Sequence, residues 1–271
     1  MNNLIFLKLG GSLITDKEQA RTPRMDVLDA LCCQIADVVE RDPNLLLLIG
    51  HGSGSFGHVA AKKYKTRAGF SPRGEGFRPY WHGFSEVWHE ARELNKIVMG
   101  SLRRAKISAM AISPSSSVIA KNGQVSRWDL SPIRHALVSG IMPVVYGDVV
   151  FDEGQGGTIL STEDLFMHLA QELHPQRVLL AGVEDGIYAD FPARQQRVTH
   201  VSPASYVKIR ASIGASHATD VTGGMASKVQ EMLALVKIMP ELSVQIFSGM
   251  KKENLKDVLL GENSGTLIEV D

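Results

Sequence analysis

The chain is poor in the features that would mark several protein classes. Its 271 residues include only two cysteines, Cys32 and Cys33, and these are adjacent. Neighbouring thiols make neither a disulfide framework nor a metal-binding set, so free thiols in a reducing compartment are expected. Charge of one sign is also lacking: Lys plus Arg and Asp plus Glu both total 29. No global field draws such a protein to nucleic acid or to an anionic membrane, and no basic stripe interrupts the balance. An anionic ligand must instead be held by local groups. Long apolar runs are missing too, since a stretch such as Leu45 to Ile49 is far too short to span a bilayer. Residues Met1 to Gly10 lack a basic region followed by a long apolar one, so no signal peptide is expected. These absences together point to a cytoplasmic globular protein without membrane insertion.

With 44% hydrophobic residues the chain can bury a substantial core. Short apolar runs rich in β-formers alternate with longer segments of helical period, the pattern of a mostly parallel sheet covered by helices on both faces. Leu4 to Leu9, Leu45 to Ile49, Ile107 to Ile112, Met142 to Tyr146, Arg177 to Ala181, Ser243 to Phe247 and Thr266 to Ile268 read as strands. Asp26 to Glu40, Trp81 to Ala105, Ser131 to Ser139, Thr162 to Leu173, Ser202 to Arg210 and Gly224 to Met239 read as helices. Gln124 to Trp128 and Val149 to Phe151 are short enough to be hairpin arms outside the main sheet. Ser71 to Pro79, with its Gly, Pro and Arg, reads as a loop. No internal repeat and no low-complexity linker divides the chain. A single domain over 1–271 is expected, with a short seam near His174-Pro175 separating lobes 1–174 and 175–271.

Three glycine-rich turns stand out. Lys8-Leu9-Gly10-Gly11-Ser12 ends the first strand; two glycines there let backbone N–H groups approach a polyphosphate, and Lys8 adds charge. The same Gly-Gly reads equally well as a tight turn. The spacing is neither a P-loop nor a dinucleotide fingerprint. Gly50-His51-Gly52-Ser53-Gly54-Ser55-Phe56-Gly57-His58 is less ordinary, because a simple turn from strand to helix rarely needs four glycines. Its donors form a cup for an anion, with His58 in the first turn of the following helix. The third turn, Asp220 to Lys228, again puts glycines before a helix, and Lys228 falls one turn in. Three loops of like chemistry, two of them directly following strands, point to a polyphosphate, since ligands gather at strand ends in open α/β sheets.

The residues carry a resemblance. Lys8-Leu-Gly-Gly-Ser12, Gly147-Asp148, Asp185-Gly186-Ile187-Tyr188 and Thr222-Gly223-Gly224-Met225-x-x-Lys228 are similar to the motifs of the amino acid kinase superfamily. Within it, Ile14-Thr15-Asp16-Lys17 and Gly52-Ser-Gly-Ser-Phe-Gly-His58 resemble the isopentenyl phosphate kinases, a branch that includes the related fosfomycin-resistance kinases. The likeness runs over nearly the whole chain. It implies a three-layer α/β/α sandwich, ATP with Mg²⁺, a prenyl phosphate acceptor in isoprenoid biosynthesis, and a homodimer. It also implies roles. Lys8 would bridge donor and acceptor phosphates, Lys17 would steady charge in transfer, and His58 would bond the acceptor phosphate. Lys228 would hold the β- and γ-phosphates, and Asp164 would orient the lysines. Gly10, Gly11, Ser12, Gly54, Asp185, Gly186, Tyr188, Gly223 and Gly224 would line the nucleotide side; Ser53, Gly54, His58 and Gly147 would meet the acceptor. Two places depart from the family pattern. Ser53 stands where three consecutive glycines are usual, and Gly182-Val183-Glu184 replaces the usual run before Asp185.

Phosphoryl transfer asks for positioning and charge compensation more than for covalent chemistry. A phosphate acceptor is already nucleophilic, which suits a set of three lysines and a histidine. No dense carboxylate cluster offers a protein-held metal, so Mg²⁺ is expected to arrive on ATP. His51 is left open, a buttress of its loop at most. His82, His89, His135, His168 and His217 are scattered without ligand spacing. Phe77, Tyr80, Trp81, Phe84 and Trp88 read as packing, or as a wall for an apolar tail. A kinase of another small phosphate or phosphonate such as fosfomycin, and a nucleotide-binding regulator without turnover, are the alternatives.

Overall fold

A computed structural model describes residues 3–70, 77–210 and 224–271 of the chain. Eight strands form the main sheet: β1 (Leu4–Leu9), β2 (Leu46–His51), β3 (Ala109–Ala111), β6 (Met142–Tyr146), β9 (Arg177–Gly182), β12 (His200–Val201), β13 (Ser243–Ser248) and β14 (Thr266–Ile268). A smaller sheet contains β4 (Val118–Lys121), β5 (Gln124–Trp128), β7 (Asp148–Asp152) and β8 (Gly156–Leu160), and a ribbon pairs β10 (Ile187–Tyr188) with β11 (Arg197–Val198). The helices are α1 (Gly11–Ile14), α2 (Met25–Arg41), α3 (His58–Tyr64), α4 (Phe77–Arg104), α5 (Pro114–Ser117), α6 (Ser131–Val138), α7 (Thr162–Leu173), α8 (Pro203–Ile209), α9 (Gly224–Ile238) and α10 (Asn254–Leu259).

The main sheet runs β12-β14-β13-β9-β1-β2-β6-β3, and all its pairs are parallel except β13 with β14. Every residue of β1 is buried, as a central parallel strand requires. Alternation then sends its side chains to two cores. Leu4 and Phe6 pack with Leu165, Phe166 and Leu169 of α7 and Val229 and Met232 of α9. Ile5, Leu7 and Leu9 pack with Leu28, Leu31 and Ile35 of α2, Leu94 and Val98 of α4, and Leu255 of α10. Helices thus cover both faces in a three-layer sandwich, as expected. Strand period also places Lys8 on the α7–α9 side, in step with Leu4 and Phe6.

Most expected elements are found within a residue or two of their limits. Helix α4 begins at Phe77 rather than Trp81, because Pro79 falls in its first turn, where a missing N–H costs nothing. Of the expected loop, residues 71–76 lie outside the described residues. The hairpin arms are present, but each has a partner that the sequence reading missed. β4 follows a serine run, and β8 opens on two glycines that read as a turn; β4 pairs with β5 and with the distant β7, and β8 forms a hairpin with β7. Tyr80, Phe84 and Val87 of α4 pack with Ala61 of α3 and Val149 of β7, so the small sheet lies against the end of the molecule that carries the second glycine loop.

A candidate phosphoryl-transfer cleft

The first two glycine loops touch backbone to backbone. A Cβ on Gly11 would lie 2.4 Å from the Gly54 nitrogen, and one on Gly54, where φ is +55°, would lie 2.1 Å from the Thr15 hydroxyl. No side chain fits at either position, which gives these glycines a packing reason apart from any ligand. Thr15 Oγ1 donates to the Gly11 carbonyl at 2.7 Å and accepts from the Ser55 N–H at 2.8 Å, tying the loops together. The segment that carries Lys17 is closed on the same loop, since Thr22 N donates to Ser55 Oγ at 3.2 Å and Arg21 N to the Ser55 carbonyl at 3.3 Å.

One cleft forms where these loops meet the start of α7. Lys8, Lys17, His58 and Lys228 line it together with Gly11, Ser12, Ser53, Gly54 and Gly147. The three lysines and the histidine come from four separate elements: β1, the loop after α1, the first turn of α3 and the second turn of α9. The lining also includes Ala61, Val87 and Ile159, which belong to one apolar cluster. Such a cleft can place two phosphate groups among cations and bury a short hydrocarbon next to one of them.

Not every expected residue lies there. The Gly10 N–H donates to the Ala181 carbonyl at 2.8 Å and so is already used. Gly224 is the first residue of α9, buried, with φ +72°. Gly223 lies outside the described residues, as do Asp220, Val221, Thr222 and His217. Asp185, Gly186 and Tyr188 do not line the cleft. The Asp185 carboxylate accepts from the Tyr188 hydroxyl, from Lys251 at 2.9 Å and from Arg197 at 3.1 Å. The hydrogen bonds from Tyr188 and Lys251 hold its pKa down at about 2.

The acid beside Lys8 is Glu163, not Asp164. Glu163 forms an ion pair with Lys8, and both side chains are buried, at 3% and 8% exposure. Asp164 is occupied elsewhere. Its carboxylate accepts from the Ser161 N–H at 2.7 Å, its own N–H donates to Ser161 Oγ at 3.0 Å, and Arg67 approaches it at 3.5 Å. This is a capping box, and the pattern Ser161-x-x-Asp164 is the signal that separates the two acids. Burial pulls the Lys8 ammonium below its usual range while Glu163 opposes the pull. Burial would raise the Glu163 carboxyl, but Lys8 and Lys228 outweigh it and keep it ionised. The second oxygen, Glu163 Oε1, is buried without a hydrogen-bond partner. Glu231, one turn after Lys228, is pushed up to about 7 by burial and by the negative charge of Glu163 and Asp164.

Among the described residues no group of three His, Cys, Asp or Glu side chains is arranged to hold a metal. The described donor set suits a cation carried by a ligand's own phosphates better than a protein cage. No helix among the described residues is long and apolar enough to cross a membrane.

Fold and cleft together define a phosphotransferase of the α/β/α class, and comparison with known proteins agrees. The chain belongs to the amino acid kinase family, whose model matches residues 3–248. It is 32% identical to the isopentenyl phosphate kinase of Methanocaldococcus jannaschii, with 98% of each chain covered. It is 33% identical to the isopentenyl phosphate kinase of Methanothermobacter thermautotrophicus, covering 96% of each. A solved structure described as an isopentenyl phosphate kinase superposes with a TM-score of 0.84 at 30% identity, covering 98% of this chain and 100% of the other.

Proposed function

We propose that this chain transfers the γ-phosphoryl group of ATP to the phosphate of isopentenyl phosphate, giving isopentenyl diphosphate and ADP for isoprenoid biosynthesis. The observation that carries this reading is the cleft itself, whose lining joins four cationic or hydrogen-bonding side chains to an apolar group of Ala61, Val87 and Ile159. The naming of the relatives as isopentenyl phosphate kinases supports it.

In this reading Lys8 lies between the donor and acceptor phosphates, positioned by Glu163. Lys17 and Lys228 compensate the charge of the transferring group, and His58 donates to the acceptor phosphate. The prenyl tail enters the recess at Ala61, Val87 and Ile159, closed behind by Tyr80 and Phe84. Residues 1–174 then serve mainly the acceptor and 175–271 the nucleotide. Mg²⁺, bound on the ATP phosphates, supplies further neutralisation of charge there. The Glu163 oxygen without a partner would be available to accept from that ion's water shell. No general base is needed, since the acceptor phosphate is already an anion. From the family resemblance we also propose that the enzyme is cytoplasmic and homodimeric.

The test is ADP release with Mg-ATP for isopentenyl phosphate, dimethylallyl phosphate and fosfomycin, in the wild type and in His58→Ala. Turnover of isopentenyl phosphate that falls roughly 10- to 100-fold in the variant is expected, the worth of one charge-assisted hydrogen bond. Turnover of fosfomycin alone would discard the named acceptor, and ATP binding without transfer to any acceptor would favour a regulator.

A further inference from the structure

His51 closes β2 and is 1% exposed, yet all its polar atoms are engaged. Nδ1 lies 3.2 Å from the Gly52 carbonyl oxygen, and Nε2 lies 3.1 Å from the Nδ2 of Asn95 on α4. Its ring stacks on Tyr146 with centroids 5.3 Å apart and planes 10° from parallel. Its own carbonyl accepts from Thr162 Oγ1 at 2.7 Å and from Gly147 N at 3.2 Å. One residue therefore joins four parts of the cleft wall: the glycine loop, the β6–β7 turn, the N-terminus of α7 that carries Glu163, and α4.

The hydrogen-bond chemistry selects one form of the ring. A carbonyl oxygen can only accept, so the nitrogen facing Gly52 must carry a proton. An amide N–H facing the other nitrogen then requires that nitrogen to be bare. Both conditions are met only by the neutral Nδ1–H tautomer. Burial, with the positive charge of Lys8 acting in the same direction, lowers the ring's pKa to about 4, which agrees with that form. Because the peptide is planar and trans, fixing the Gly52 carbonyl toward the ring turns the N–H of Ser53 away from it.

We propose that His51 is a positioning residue, locked by Asn95 as the neutral Nδ1–H tautomer, which sets the Gly52–Ser53 peptide so that its N–H serves the acceptor phosphate. This rests on reading the cleft as a phosphate-acceptor site. It also assigns Asn95, which does not line the cleft, a role in acceptor affinity.

The experiment has two arms. Long-range ¹H–¹⁵N correlation on the wild type reports the ring directly: a protonated Nδ1 and a bare Nε2 are expected at neutral pH. A bare Nδ1 or a doubly protonated ring overturns the proposal. This arm needs no substrate, so it judges the ring whatever the acceptor proves to be. The second arm uses Asn95→Asp, whose carboxylate only accepts and draws a proton to Nε2. The expected result is an Nδ1 stripped of its proton with the acceptor KM raised about 10-fold and the KM for ATP within twofold of wild type, the loss of one hydrogen bond at the acceptor. A bare Nδ1 with an unchanged acceptor KM overturns the proposal; so does a doubly protonated ring with a raised acceptor KM, since Nδ1–H then still holds Gly52, and so does an equal rise in both KM values, which marks a general structural role. If the variant does not fold, the wild-type ring spectrum decides.

Discussion

The Lys8 ammonium and the Glu163 carboxylate meet inside the protein, one from the central strand and the other from the first turn of α7. Neither is satisfied alone. Removing one partner leaves an uncompensated buried charge, at a cost of about 3–5 kcal/mol. Glu163→Gln and Lys8→Met are each expected to lower Tm sharply, while the double variant should be less destabilised than the sum of the two. Thermal melts around this cycle check the coupling, and strict additivity would contradict it. Asp164→Asn should cost only about 1 kcal/mol, the worth of a helix cap, and should spare kcat far more than Glu163→Gln does.

The apolar recess makes a prediction about substrate size. Ala61→Phe or Val87→Phe should fill it and raise the KM for isopentenyl phosphate, leaving ATP binding within twofold. Tyr80→Ala or Phe84→Ala should open its rear wall and change the acceptor KM as well. Steady-state kinetics at saturating ATP decide, and an unchanged acceptor KM in all four would remove the prenyl tail from this recess.

Asp148 is fully buried, and among the described residues no cation is bonded to it. It accepts from the Val149 N–H at 2.8 Å and the Ser115 N–H at 3.4 Å, and burial pushes it up to about 7. A carboxyl whose folded pKa is raised binds more protons folded than unfolded, so its contribution to stability falls as pH rises from about 4 to about 7. His51, lowered to about 4, acts in the opposite direction between about 4 and 6.5 and masks the trend in the wild type. The difference between Asp148→Asn and wild type isolates it. The Tm of the variant should gain on that of the wild type as pH rises through this window and level off above 7. A difference that stays flat with pH would show that Asp148 does not titrate there.

The two adjacent cysteines differ in reactivity. Cys32 is buried, and burial raises its thiol to about 12, whereas Cys33 on the next residue of α2 is exposed. A thiol reagent should label one equivalent in the native protein and two after denaturation. Two fast equivalents in the native state would mean that α2 opens locally.

The fold was legible because its signals are local. The apolar run of β1 and the helical spacing of Leu28, Leu31 and Ile35 depend only on near neighbours in the chain, and both elements form where they were read. β4 and β8 were not legible, since a serine-flanked run and a Gly-Gly start become strands only when β7 provides their hydrogen bonds. At the site, Lys8, His58 and Lys228 could be named from glycine loops and residue type, and Lys17 from the family resemblance alone. Glu163 was overlooked beside Asp164, although the capping pattern of Ser161 could have distinguished them.

By itself, then, the sequence determined the alternation of elements, the two-faced burial of the central strand and the chemical types available to a phosphate. Only the tertiary structure decided which acid reaches Lys8, that Gly11 must be bare because Gly54 lies against it, and that His51 ties together four segments behind the cleft. The physical reason is range. Periodicity and turn preference are properties of neighbouring residues, whereas these contacts join segments that become neighbours only through the order of strands in the sheet.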